Sequence, residues 1–158
     1  MYLNQLTPQQ AHQKIKHFCA YQERCHSEVK EKLYDYGLRK SEVEQILSQL
    51  IEEDYLNEER FAEQFAGGRF RMKKWGRVKI RYELKQRQVS EYCIRKGMKV
   101  IDEEDYYRTL QQLFEQKSRE LKGEKNQFIR KRKLQDYLLQ KGYETEHIRE
   151  LLNRKESS

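Results

Sequence analysis

One helical module is written three times along this chain, and that repetition constrains the fold more than any single motif. Val29, Leu33, Gly37-Leu38, Val43, Ile46 and Leu47 set the pattern. The same apolar spacing returns at Ile80, Leu84, Gln88-Val89, Ile94 and Met98, and again at Leu134, Leu138, Gly142-Tyr143, Ile148, Leu151 and Leu152. A period of about 50 residues that preserves two short helices and the turn between them marks a repeat architecture. Modules of this kind stack into elongated bodies whose surfaces grip another macromolecule, and they rarely form catalytic pockets. The expected fold class is all-α, with three tandem three-helix repeats over 1–53, 54–101 and 102–158.

Local signals support the module boundaries. Thr7-Pro8-Gln9-Gln10 reads as a helix start, with Thr7 as N-cap, Pro8 at the first helical position and Gln10 closing a capping box. Ser27 is expected to cap a second helix that Gly37 ends in the left-handed conformation, and Ser41 to open a third. Asn57, followed by Glu58 and Glu59, opens the middle module. Phe61, Phe65, Gly68 and Met72 then fall on one helical face. Gly67-Gly68 reads either as a kink or, the favoured alternative, as a point where Gly68 admits a neighbouring helix. Trp75-Gly76 marks a turn before a helix over Gly76–Arg87, and another runs from Ser90 or Glu91 to about Met98. Asp102-Glu103-Glu104-Asp105 supplies the acidic first turn of the last module, whose first helix breaks near Gly123.

Composition narrows the function classes. With 36% apolar and 37% charged residues, a deep single core is not expected, so the 11 tyrosines and 6 phenylalanines must supply much of the buried area. No stretch resembles a membrane span or a secretory leader, which points to the cytoplasm. Cys19, Cys25 and Cys93 contain no paired-cysteine motif and read as reduced thiols. His17, Cys19, Cys25 and His26 are the one conceivable metal set, but without a C-x-x-C pair they read as structural residues, and no cofactor is expected. His12, His17, His26 and His147 are scattered, and no phosphate-binding loop or metalloprotease motif occurs, so the chain reads as non-enzymatic.

The charge is segregated. Residues 67–101 hold 12 basic against 2 acidic residues, whereas residues 1–66 hold 8 against 12. Such segregation suits an anionic partner. Arg69, Arg71, Lys73, Lys74, Arg77, Lys79, Arg81, Lys85 and Arg87 surround Trp75 and Tyr82. Arg77, Arg81 and Lys85 recur every four residues beside the buried positions Ile80 and Leu84, a line of cations suited to a phosphate backbone or an acidic protein groove. Being outside the core, that line is expected to tolerate charge reversal. Trp75 could stack on a base, though a core anchor is the favoured reading. A second basic run, Arg130, Lys131, Arg132 and Lys133, opens a helix whose dipole it opposes, so helix stability does not account for it; it is a second candidate for partner or DNA binding, with a plain solvated surface as the alternative.

Asp54-Tyr55-Leu56-Asn57-Glu58-Glu59-Arg60-Phe61-Ala62, followed by Trp75-Gly76, Ile80, Glu83-Leu84 and Val89, resembles the central signature of the RecX family. The resemblance extends through the three modules, and it departs at Gln88, where a glycine often precedes the valine, and at Gly67-Gly68. It implies a curved, elongated monomer of three three-helix repeats. It also implies a non-enzymatic regulator that binds the RecA recombinase, lodges along the RecA–single-stranded DNA filament, and restrains strand exchange and ATP hydrolysis. The alternative from the residues alone is a sequence-independent DNA-binding architectural protein with no recombinase partner.

Overall fold

The structure, a computed structural model, describes residues 5–157, with side chains to Arg154. The outer repeat bounds expected from sequence run into residues 1–4 and 158, outside the described residues. Among the described residues every regular element is a helix: α1 (Pro8–Tyr21), α2 (His26–Asp35), α3 (Lys40–Glu52), α4 (Glu58–Lys73), α5 (Arg77–Gln86), α6 (Glu91–Met98), α7 (Glu103–Glu120), α8 (Gln127–Lys141) and α9 (Thr145–Ser157). The fold is all-α and repetitive. None of these helices is long and apolar enough to cross a membrane.

Packing divides into two compact units. One holds the described residues up to Gln64 together with Leu84–Gly97, and the other holds Phe65–Glu83 with the described residues from Met98 onward. In the first unit, Ala11, Ile15, Val29, Leu33, Val43, Ile46 and Leu50 form the core of α1–α3, with Phe18, Leu47 and Tyr55 packed against it. Phe61 and Leu84, the core positions expected of the middle repeat, are buried. Here α6 crosses α4 closely at Gly97, where a Cβ would stand 2.7 Å from the Ala62 carbonyl. In the second unit, Tyr106 and Tyr143 stack at 5.1 Å and Phe70 closes on Tyr106 at 5.8 Å, while Leu110, Leu134, Leu138 and Ile148 are buried.

Most helix ends follow their sequence signals. Thr7 and Gln10 form the expected capping box at 3.0 and 3.2 Å, Asn57 accepts the Arg60 N–H, and Asp102 accepts the Asp105 N–H. Two caps differ. α2 starts at His26 behind Cys25, and Ser27 donates instead to the Arg87 carbonyl at 2.9 Å, tying α2 to the turn after α5. α3 starts at Lys40 with Arg39 in the cap position expected of Ser41, and Glu42 accepts the Arg39 N–H at 2.8 Å. Glu58 also does more than face a helix dipole: it accepts the Ser90 N–H at 2.8 Å and meets His26 at 3.1 Å.

The repeat is visible in the backbone as well as in the core. Gly37, Gln88 and Gly142 occupy equivalent positions, and all three are left-handed, with φ of +87°, +61° and +101°. Each donates its N–H to the carbonyl three residues back, and each precedes a buried residue, Leu38, Val89 or Tyr143. The turn is therefore kept even where glutamine replaces glycine, a residue for which this conformation costs about 1 kcal/mol.

Two expectations for α4 are corrected. Met72 is 85% exposed, because the buried stripe runs through Phe61, Ala62, Phe65, Ala66 and Phe70 and has rotated past it. Gly68 admits no neighbour, since a Cβ there would meet nothing within 4 Å. The close approaches are at Gly97 and at Gly76.

Candidate anion-binding face

The turn between α4 and α5 is the most constrained piece of the basic segment. Lys74 adopts a left-handed φ of +57°, which reverses the chain and lets Trp75 donate its N–H to the Arg69 carbonyl. The turn is then fastened to the end of α8. Gly76 donates to the Lys141 carbonyl at 2.8 Å and Val78 to the Gly142 carbonyl at 2.9 Å. Tyr143 donates its hydroxyl to the Lys74 carbonyl at 2.8 Å, and Lys141 its ammonium to the Lys73 carbonyl at 3.1 Å. The backbones touch: a Cβ on Gly76 would lie 2.3 Å from the Gly142 carbonyl.

Trp75 sits half-buried on this turn, edge-on to Phe65 at 6.4 Å. Three cations gather on its ring, with Lys79 at 4.6 Å, Arg69 at 5.5 Å and Lys73 at 5.6 Å from the centroid. Arg69 also lies over Phe65 at 4.6 Å. Trp75 is thus neither a fully buried anchor nor a bare stacking surface. It is a platform on which cations from both helices are held together, an arrangement worth about 0.5–1 kcal/mol per cation when exposed. The Arg69 Nε is buried without a hydrogen-bond partner, so its guanidinium is committed to the rings along one edge.

The remaining basic residues divide by surroundings. Arg71 is exposed and folds its guanidinium over Gly67, and Lys74 is exposed at the turn. Arg81 is half-buried in the same unit. Lys85 and Arg87 belong to the first unit, where Lys85 is exposed and the Arg87 carbonyl accepts from Ser27. The second run begins one turn inside α8, not at its start: Asn126 is the N-cap. Arg130 and Lys131 are half-buried against a groove, Arg132 is exposed, and Lys133 pairs with Glu124 at 3.5 Å.

Arg77 does not have the character expected of it. It joins Glu144 at 2.7 Å and Glu103 at 2.8 Å, and its guanidinium lies 4.0 Å from the Tyr106 ring centroid. Burial opposes its charge, but Glu144 and the hydrogen bonds to Tyr107 and Glu144 outweigh that and hold its pKa above the ordinary value. Arg77 is a cross-link within the second unit, and its reversal to glutamate cannot leave the fold untouched. Glu144, Tyr106 and Tyr143 were invisible as partners in the sequence, because their contacts span 29 to 69 residues. Asp54 and Arg60 pair at 3.2 Å, and Arg60 also binds Glu23, a residue distant in sequence.

Among the described residues no group of three or more His, Cys, Asp or Glu is placed to hold a metal ion. Cys25, from the one conceivable set, is buried, with its sulfur 3.2 Å from both the Ser27 hydroxyl and the Glu28 carboxylate.

Comparison with known proteins adds a family. Residues 57–98 match the family model described as the RecX second three-helix domain, and residues 103–152 the RecX third three-helix domain. The chain is 31% identical over 134 residues to a regulatory protein RecX of Chlorobium limicola, covering 83% of this chain and 81% of that protein. It is 30% identical over 128 residues to the Clostridium tetani protein of the same name, covering 80% of this chain but 58% of the relative. The chain thus spans less than two thirds of the clostridial relatives it matches. The crystal structure of RecX from Lactobacillus salivarius superposes with a TM-score of 0.82 at 17% identity, over 94% of this chain and 95% of that one, which is a likeness of fold.

Proposed function

This chain belongs to the RecX family, a family of regulatory proteins, and from that premise we propose that it binds the RecA recombinase on single-stranded DNA and restrains it. The observation that carries the reading is the Trp75 turn: Arg69, Lys73 and Lys79 are gathered on one ring, and that turn is pinned by four hydrogen bonds to the end of α8. Cations held in advance lose little freedom when an anionic surface arrives, so more of the attraction appears as affinity. A nucleoprotein filament presents repeated negative charge, and neutralising it releases counterions. The role needs no catalysis. The protein acts as a cytoplasmic monomer, and its three repeats follow the divisions near residues 53 and 101. Arg71, Lys74 and Arg81 extend the basic surface of the second unit beyond the pinned turn, and Lys85 and Arg87 are the candidate contacts on the first unit.

The test is RecA-driven ATP hydrolysis on single-stranded DNA, titrated with the parent chain and with Lys73→Glu/Lys79→Glu. The parent should slow hydrolysis, and the variant should need at least tenfold more protein for the same effect at an unchanged melting temperature. Parent protein that binds oligothymidylate yet leaves hydrolysis unaffected would favour the alternative, a sequence-independent DNA-binding protein. For DNA alone, Lys73→Gln and Lys79→Gln should each reduce the slope of log affinity against log salt by about 1. A folded variant that inhibits like the parent would remove the Trp75 turn from the functional surface.

A further inference from the structure

The third repeat carries a groove with a different chemistry from the Trp75 turn. It lies among α7, α8 and α9, open to solvent, with a volume of about 800 Å³. Phe114, Leu134 and Leu152 line it. Their side chains are nearly buried, at 2%, 5% and 7% exposed, so they form an apolar floor, with Ser118 and Gln127 on the rim above it. Arg119 from α7 and Arg130 with Lys131 from α8 stand beside that lining, and Glu115 is the carboxylate among them.

We propose that this groove takes an acidic segment of a partner protein, one that inserts an apolar side chain between α7 and α8 while its carboxylates meet Arg119, Arg130 and Lys131. Three observations favour peptide over nucleic acid. The floor of the groove is apolar beneath a polar rim, which an aliphatic or aromatic anchor can use and a sugar-phosphate chain cannot. No aromatic ring of the groove stands out for a base to stack on, since Phe114 is 2% exposed. Glu115 repels a continuous run of phosphates but can accept a peptide N–H. The volume falls within the range of about 300–1,000 Å³ typical of compact ligand sites, enough for an anchor and its neighbours rather than a duplex. The proposal stands independently of the filament reading.

A random 12-residue peptide display library panned against the full chain tests this, with Arg119→Glu/Arg130→Glu as counter-target. Enriched sequences should be net negative and contain a large apolar residue. Synthetic copies should bind at least tenfold more weakly to the counter-target, and they should shift the amide resonances of Phe114, Leu134 and Leu152. Lys73→Glu/Lys79→Glu should bind them like the parent, which separates this groove from the Trp75 turn. If the double reversal lowers the melting temperature, Arg119→Gln and Arg130→Gln replace it, and each should weaken the peptides at least threefold. Enrichment of basic or neutral sequences, or no preference over the counter-target, overturns the proposal. Displacement of the peptides by oligothymidylate also overturns it and makes the groove part of a nucleic-acid path.

Discussion

The Tyr106 hydroxyl donates to the Glu144 carboxylate while accepting the backbone N–H of Arg77 at 2.9 Å, so one buried phenol joins the start of α5 to the turn before α9. Burial and the neighbouring carboxylate keep that hydroxyl protonated to well above the usual tyrosine range. Glu144 then binds the Arg77 guanidinium with its other oxygen.

From this network, Arg77→Glu should cost about 3 kcal/mol of stability, because it sets three carboxylates together beside a buried ring. Tyr106→Phe should cost about 1–3 kcal/mol, since it leaves Glu144 and an N–H short of a partner. Urea denaturation followed by circular dichroism measures both. An Arg77→Glu midpoint equal to the parent's would mean that the pair is without structural weight.

The glycines separate by what surrounds them. Gly76→Ala and Gly97→Ala each drive a Cβ into backbone, at 2.3 and 2.7 Å, and should destabilise by at least about 1–3 kcal/mol. Gly68→Ala enters open space within a helix and should stabilise by about 0.5–1 kcal/mol. Thermal melts of the three variants give the order directly, and a reversed order would contradict the close packing of α4 on α6 and of the α5 turn on α8.

Gln88 keeps a left-handed turn that its two counterparts make with glycine. Gln88→Gly should raise stability, by up to about 1 kcal/mol after the extra freedom of the unfolded chain is counted. Gln88→Val should lower it by more than the parent's strain, since a branched Cβ suits that conformation least. A melting order other than glycine above glutamine above valine would show that the backbone relaxes there.

The cysteines give a pH signature. Burial pushes the Cys19 thiol up to about 11, against a nearby arginine that works the other way, and burial raises Cys25 as well. A group whose pKa is raised by folding stabilises below its unfolded value, and that stability is lost as pH climbs through the folded value. Cys19 therefore withdraws support between about pH 9 and 11. Midpoints in urea should fall across that window. At pH 8, a disulfide exchange reagent should titrate half-buried Cys93 quickly and the other two thiols only after denaturation. Rapid reaction of all three in the native chain would contradict the burial.

What the sequence made legible was whatever repeats or acts locally. Apolar spacing at Val29 and Leu33, Ile80 and Leu84, Leu134 and Leu138 located the inward faces, and Thr7, Asn57 and Asp102 marked helix starts within four residues of their targets. Charge segregation marked the basic segment that holds the Trp75 turn. Helical spacing could not tell Arg77 from Arg81, because the difference lies in Glu144 and Tyr106, both distant in sequence. The role of each glycine was equally hidden. Gly76, Gly97 and Gly68 look alike on paper, and only the approach of a second backbone distinguishes them.

Trp75 is the single tryptophan of the chain, and it lies within 6 Å of three positive charges. Indole emission responds to the local electric field, so the protein carries its own optical gauge at the turn joining α4 to α5. A polyanion that meets Lys73 and Lys79 on the ring will offset their field and change the colour of that emission, whereas a ligand in the third-repeat groove will leave it unaltered. Occupancy of the two surfaces can therefore be followed separately in an unlabelled sample.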